Sequence, residues 1–269
     1  MLASYKKYLQ ALKQERYTQV VCNYCGAKTL LPGSGFCNFC EIYNGKLPLG
    51  SELAINPQAA SDMHNVQAYL AKGDIENAEK TMDQISGKSS SPYLLYVAGV
   101  VYKYLSDFLY FGVDYNLKGF MEQNAEKREL SSKYTSKSKE YFYRALSSIN
   151  QMPEPKGELA TFVKALILTK LERYEEAKKA IGELEDKKGE LWEYASMVYG
   201  VETNSKDAGN LLGIRLAKAD INAYYYLAKY FAKNGKAEEA KALLDALPRG
   251  ILLGYWLAKE IELSKDNYI

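Results

Sequence analysis

Hydrophobic positions from residue 51 onward recur with helical spacing, and short polar breaks separate one group from the next. Three stretches, residues 71–85, 169–184 and 232–247, share one order: a break, an apolar residue, a small residue and then a large apolar residue. The small residues are Ala78, Ala177 and Ala240, and the large ones are Met82, Ile181 and Leu244. A small residue lets two helices approach where they cross, and a large neighbour fills the gap. The pattern therefore predicts packed helical hairpins.

The hairpin pattern recurs at an interval of about 31–34 residues. Repeats are predicted to begin near Ala59, Pro92, Glu158, Gly189 and Ile221. An insertion near residues 106–133 separates the second repeat from the third. These segments resemble the tetratricopeptide repeat, a helix–turn–helix unit of about 34 residues. The resemblance implies a mainly α protein, an α-solenoid of stacked hairpins, with a polar capping helix near residues 249–265.

The first 50 residues follow a different pattern. An apolar stripe at helical spacing predicts an amphipathic helix over residues 1–16. The stripe consists of Leu2, Tyr5, Leu9 and Leu12. A small module with a Gly- and Pro-containing linker follows over residues 17–50, and the repeat domain occupies residues 51–269.

All four cysteines lie in the small module. They form two CxxC pairs, Cys22 with Cys25 and, after eleven residues, Cys37 with Cys40. A CxxC turn brings two thiolates to one side of a tight knuckle, and two facing knuckles supply a tetrahedron of sulfurs that suits Zn²⁺ at about 2.3 Å. Four thiolates leave no open position for water or substrate. The spacing therefore predicts one structural zinc ion held by these four residues.

Other uses of the cysteines are less well supported by the surrounding sequence. A disulfide framework needs an oxidising compartment, yet charged residues interrupt the N-terminus where a signal peptide would be apolar. A redox pair needs a neighbouring βαβ pattern, which is missing, whereas iron is an alternative ion for four thiolates. Residues 17–43 resemble the zinc ribbon, which implies a small β module. In many ribbons a glycine follows the last cysteine, but here it is Glu41.

Composition and charge narrow the class of protein. Apolar residues make up 47% of the chain and charged residues 25%, which excludes a disordered or collagen-like chain. Residues 93–113 are long enough to span a bilayer, but Lys103 and Asp107 would each cost about 2.5–3.5 kcal/mol at its centre. A buried helix is therefore the expectation, and the protein is expected to be cytoplasmic.

Motifs of catalysis are missing from the sequence. It contains no phosphate-binding loop, HExxH helix or GxSxG elbow. His64 is the only histidine, and paired carboxylates such as Glu175 and Glu176 fall on the solvated faces of amphipathic helices. We therefore expect the protein not to be an enzyme.

A role in binding other proteins is the leading hypothesis. In a helical-repeat array the first helix of each hairpin lines the inner face, where it can hold an extended or helical peptide. On the tetratricopeptide register, the inward positions include Phe162, Tyr225, Lys229 and Lys233. These four residues are the predicted partner contacts of a non-catalytic scaffold.

The N-terminal region supports two further hypotheses. Residues 1–50 carry six basic and two acidic residues, a net +4, which leaves a net −2 for the rest of the chain. Together with its aromatic residues, this charge makes nucleic-acid binding through the ribbon the alternative function. The aromatic residues are Tyr17, Tyr24, Phe36, Phe39 and Tyr43. The helix over residues 1–16 has flanking lysines, but its few charges would give only weak membrane binding.

Overall fold

The computed structural model of the chain describes residues 18–31, 35–45, 57–87, 89–111, 125–154, 156–218 and 220–244. The helices predicted over residues 1–16 and 249–265 lie outside these ranges. Within them the chain forms ten helices and one two-stranded sheet, so the expectation of a mainly α protein is confirmed. The two strands are β1 (Thr18–Val21) and β2 (Lys28–Leu31).

The helices fall into two compact units. The first unit, residues 21–29 and 46–152, contains α1 (Pro57–Lys72), α2 (Ile75–Gly87), α3 (Pro92–Phe111) and α4 (Ala125–Asn150). The second unit, residues 1–20, 30–45 and 153–269, contains α5 (Glu158–Lys170), α6 (Tyr174–Gly182), α7 (Glu190–Glu202), α8 (Ala208–Ala217), α9 (Ile221–Lys233) and α10 (Ala237–Leu244). We call them the α1–α4 unit and the α5–α10 unit.

Consecutive helices pack together in the α1–α4 unit: α1 on α2, α2 on α3 and α3 on α4. The longest pair is α3 and α4. Of the insertion predicted near residues 106–133, residues 106–111 continue α3, residues 125–133 begin α4, and residues 112–124 lie outside the described ranges.

Small and hydroxyl residues join α3 to α4. Ser138 Oγ donates to the carbonyl of Gly99 at 2.7 Å, and Ser106 Oγ lies 3.0 Å from Ser131 Oγ. A Cβ atom at Gly99 would lie 2.6 Å from the ring of Phe142. The two helices therefore approach each other at a point where only glycine leaves room.

The α5–α10 unit is built from three consecutive helix pairs. α5 packs on α6, α7 on α8 and α9 on α10, while the first helices also contact one another in the order α5, α7, α9. The predicted small residues Ala177 and Ala240 are fully buried here, as Ala78 is in the other unit. Their burial fits the close helix crossings that the sequence predicts.

Four inter-helix turns share one backbone conformation. Each has a residue with positive φ, namely Gly73, Glu172, Asn204 and Gly235. In each turn the next N–H bonds the carbonyl five residues back, as in Asp74 to Tyr69 and Lys236 to Phe231, which is the Schellman pattern of a helix C-terminus. Only two of the four positions are glycine, so the sequence alone signals the recurring turn at two of its four occurrences.

The close approach at Gly99 yields a stability prediction. Gly99→Ala should destabilise the protein by about 1–3 kcal/mol, because the new methyl group would overpack against Phe142. The midpoint of thermal unfolding, followed by circular dichroism, measures the effect.

Gly213→Ala is the matched control, because Gly213 also lies inside a helix but a Cβ there would meet nothing within 4 Å. It should stabilise the protein by about 0.5–1 kcal/mol. Equal effects of the two substitutions would contradict the packing argument.

Candidate metal centre

The four predicted ligands lie together. The Sγ atoms of Cys22, Cys25, Cys37 and Cys40 are all within 4.8 Å of one another, and each cysteine is fully buried. Tetrahedral zinc with bonds of about 2.3 Å would place the sulfurs about 3.8 Å apart. The donor set and its spacing therefore fit a four-coordinate zinc ion.

The two CxxC turns have the same backbone geometry. In the first turn, Cys22 N–H donates to the carbonyl of Ala27 and Gly26 N–H donates to the carbonyl of Cys22, both at 2.9 Å. In the second, Cys37 N–H donates to Ile42 at 3.0 Å and Glu41 N–H to Cys37 at 2.9 Å. The residue after each pair has positive φ, 71° at Gly26 and 64° at Glu41. We call residues 22–27 the first knuckle and residues 35–45 the second knuckle.

Backbone amides point at the sulfurs in both knuckles. Ala27 N–H donates to Cys25 Sγ at 3.4 Å, and Phe39 N–H donates to Cys37 Sγ at 3.3 Å. Both sulfurs therefore accept a hydrogen bond from the backbone of their own knuckle.

The first knuckle packs closely on α1. A Cβ atom at Gly26 would lie 2.6 Å from the Cα of Ala60, and the ring of Tyr24 lies 5.6 Å from that of Tyr93. Glycine at this position allows both the positive φ and the close approach of the two backbones, because it has no Cβ atom.

The second knuckle replaces that glycine with a buried carboxylate. Glu41 is fully buried and accepts hydrogen bonds from Lys170 Nζ at 2.5 Å, from Tyr194 OH at 3.0 Å and from Tyr226 OH. The left-handed conformation costs a residue other than glycine about 1–2 kcal/mol. Charge-assisted hydrogen bonds offset this cost, because a buried carboxylate requires partners.

Asn222 connects the second knuckle to α9. Its amide nitrogen donates to the carbonyl of Cys37 at 3.1 Å and to Tyr194 OH at 2.9 Å. Its amide oxygen accepts a bond from Asn38 Nδ2 at 3.2 Å. Cys37, one of the four predicted ligands, is therefore hydrogen-bonded directly to a helix of the α5–α10 unit.

An aromatic cluster holds the start of the second knuckle. The ring of Phe36 stacks on Tyr194 with centroids 4.1 Å apart and lies 5.8 Å from the ring of Phe162. The guanidinium of Arg215 lies 4.8 Å from the centroid of Phe36, while the same group bonds Asp220 at 2.7 Å. Residues of α5, α7 and α8 thus surround one phenylalanine of the second knuckle.

The four predicted partner-contact residues make internal contacts. Phe162 and Tyr225 are 0% and 2% exposed. Lys229 Nζ and Lys233 Nζ lie 2.7 and 3.1 Å from the carboxylate of Glu202. In this arrangement Phe162 and Tyr225 are covered by other residues of the chain, and the two lysines form an ion pair that joins α7 to α9.

The residues that hold the second knuckle were not predicted from the sequence. They are Glu41, Lys170, Tyr194, Asn222 and Tyr226. The one local signal is Glu41 itself, which occupies the position where the first knuckle has Gly26.

Comparison with known proteins does not assign the chain to a family. No protein-family model, curated protein or solved structure matches the chain. Among the helices of the described residues, none combines the length and the apolar character needed to cross a bilayer.

The buried carboxylate of Glu41 yields a second prediction. Glu41→Ala should cost about 3–5 kcal/mol, because it removes one partner of the buried ion pair between Glu41 and Lys170. Denaturant unfolding followed by tryptophan fluorescence measures this cost, since Trp192 lies in α7.

Glu176→Ala is the control, because Glu176 pairs with Arg173 on an exposed surface and should leave the midpoint unchanged. Adding Lys170→Met to Glu41→Ala should recover part of the loss. If the double variant is as unstable as Glu41→Ala, the buried charge is not the cause.

Glu202 yields a prediction about pH. Burial alone would raise the pKa of Glu202, but the charges of Lys229 and Lys233 lower it from 4.5 to about 2. A lowered pKa stabilises the protein above pH 4.5, and this contribution disappears as the pH falls from 4.5 towards 2. Glu202→Gln should therefore cost up to about 3 kcal/mol at pH 7 and progressively less below pH 4.5.

Unfolding curves of the parent and Glu202→Gln proteins at several pH values measure this difference. In a protein with methionine in place of Lys229 and Lys233 the pH dependence should reverse in sign, because burial alone raises the pKa of Glu202. A difference that stays constant from pH 7 to pH 2 would contradict the assignment.

Proposed function

We propose that this protein is a non-catalytic, zinc-binding interaction scaffold. It combines a four-cysteine module of zinc-ribbon type with a tetratricopeptide-like array of helical hairpins. The observation that carries the proposal is the cluster of four buried cysteines, whose second pair is hydrogen-bonded to the helices of the repeat region.

The chemistry of the site supports a structural metal. Cys22, Cys25, Cys37 and Cys40 would hold the ion and fill its coordination sphere, leaving no position for substrate. When bound, zinc would supply cross-linking between the CxxC turns and no Lewis-acid chemistry towards a ligand.

The repeated turns support the hairpin array. Residues 172, 204 and 235 have positive φ and are spaced at the repeat interval. Each lies in the turn that joins the two helices of a pair, so three consecutive pairs share one turn geometry. First helices that contact one another in succession are also typical of stacked helical repeats. These arrays commonly present binding surfaces to peptides or proteins, which is why a protein partner is proposed.

The nucleic-acid alternative receives less support from the structure. Tyr24, Phe36 and Phe39 are buried, and base stacking requires exposed aromatic faces. We therefore favour a protein partner over a nucleic acid.

Metal content tests the zinc site. Purified protein should contain one zinc per chain, and Cys37→Ser should lose it, because three thiolates bind zinc more weakly than four. Elemental analysis gives the stoichiometry, and cobalt substitution should give the absorption bands of a tetrahedral thiolate site. Ser138→Ala, distant in the sequence from the cysteines, is the control that should keep the metal.

Bound iron, a disulfide between the cysteines or no metal in freshly purified protein would each contradict the zinc assignment.

The partner class is tested by affinity capture from native lysate with and without nuclease. Protein partners that survive nuclease support the scaffold, whereas partners lost with the nucleic acid support the alternative.

A further inference from the structure

The second knuckle lies on the first helices of the hairpin array. It contacts α5 through Phe162 and Lys170, α7 through Tyr194, and α9 through Asn222 and Tyr226. All of these contacts lie within the α5–α10 unit. Eleven residues of the chain itself, 35–45, therefore lie on this face of these helices, and they cover Phe162, one of the four predicted partner contacts.

This face has the composition of a peptide-binding site. It offers an aromatic slot formed by Phe162, Tyr194 and Arg215, which receives Phe36. It also offers an amide, that of Asn222, which bonds both a side chain and a backbone carbonyl of the segment. Peptide-binding sites obtain affinity from hydrogen bonds to the peptide backbone and specificity from contacts with its side chains.

The same face also receives a carboxylate, at a point that we call the carboxylate pocket and that shares Tyr194 with the aromatic slot. Lys170 supplies a positive charge, and the hydroxyls of Tyr194 and Tyr226 supply two further donors to Glu41. All three donors point at one buried carboxylate, and Glu41 adopts a left-handed conformation while it occupies the pocket. The face thus recognises an aromatic side chain and, five residues later, an acidic one.

We propose that the face formed by α5, α7 and α9 is a peptide-recognition surface that the second knuckle occupies when zinc is bound. Loss of the metal releases the second knuckle and opens the surface to an external segment with an aromatic residue followed by a carboxylate. This inference rests on the proposed zinc site and names the ligand of the proposed scaffold.

The metal determines whether the second knuckle or an external peptide occupies the surface, because zinc restrains the second knuckle. A segment tethered to its site competes at an effective concentration on the order of millimolar. Zinc ligation by Cys37 and Cys40 adds to this advantage, since metal binding stabilises the ordered knuckle. An external peptide therefore competes more effectively with the second knuckle when the metal is absent.

The probe for this proposal is a fluorescein-labelled peptide of residues 35–45 with serine in place of Cys37 and Cys40. Its binding to the full chain is measured by fluorescence anisotropy, with zinc bound and after removal of zinc by chelator under reducing conditions. The stripped protein should bind at least tenfold more tightly than the loaded protein. Peptides with Phe36→Ala or Glu41→Gln should bind at least tenfold more weakly than the parent peptide.

Two protein variants locate the binding. Lys170→Met should abolish peptide binding by the stripped protein, because it removes the charge of the carboxylate pocket. Lys164→Met is the matched control: Lys164 lies on the same helix but pairs with Glu183 at 3.6 Å, so binding should be unchanged. A full chain carrying both Cys37→Ser and Cys40→Ser reproduces the stripped state without chelator.

Hydrogen exchange on the stripped protein tests release directly. Amides of residues 35–45 should lose protection while those of α5, α7 and α9 keep it. Simultaneous loss of protection in these helices would overturn the proposal, because the second knuckle would then be an inseparable part of the core. Equal peptide binding with and without zinc, or none in either state, would also overturn it. Purified protein that contains no zinc would instead overturn the proposed metal site itself.

Discussion

The buried carboxylate of Glu41 is the interaction on which the arrangement of the α5–α10 unit depends. A charge removed from water must be paired, and here its partners come from three helices. Lys170 ends α5, Tyr194 lies in α7 and Tyr226 lies in α9. Displacing any one of these helices would leave a buried charge or hydroxyl without its partner. The second knuckle is thus hydrogen-bonded to three helices of this unit.

The two knuckles reach one backbone shape by different physical means. Both need a left-handed residue after the second cysteine. Gly26 adopts this conformation at little cost and allows contact with the backbone of Ala60. Glu41 adopts it at a cost that its hydrogen bonds offset. A departure from the usual ribbon pattern therefore marks the point where the second knuckle binds the helices.

The candidate binding face shows why a repeat register alone does not locate a free surface. The register places Phe162 on the inner side of a first helix, and the structure does put it beside α7 and the second knuckle. Its exposure depends on what covers that side, and periodicity carries no information about a distant segment. The same holds for Lys229 and Lys233, whose partner Glu202 lies in the preceding hairpin.

Local sequence patterns were sufficient to predict the helical class, the small residues at the helix crossings and the clustering of the four cysteines. Helix crossings and CxxC turns involve residues close in sequence, so their signal is present in the spacing. Non-glycine residues in left-handed turns, Glu172 and Asn204, left no such signal. The tertiary structure alone decided how Glu41 is used, because its partners lie 129, 153 and 185 residues away. Pairing of a buried charge over such distances depends on the folded arrangement of helices, which no local pattern encodes.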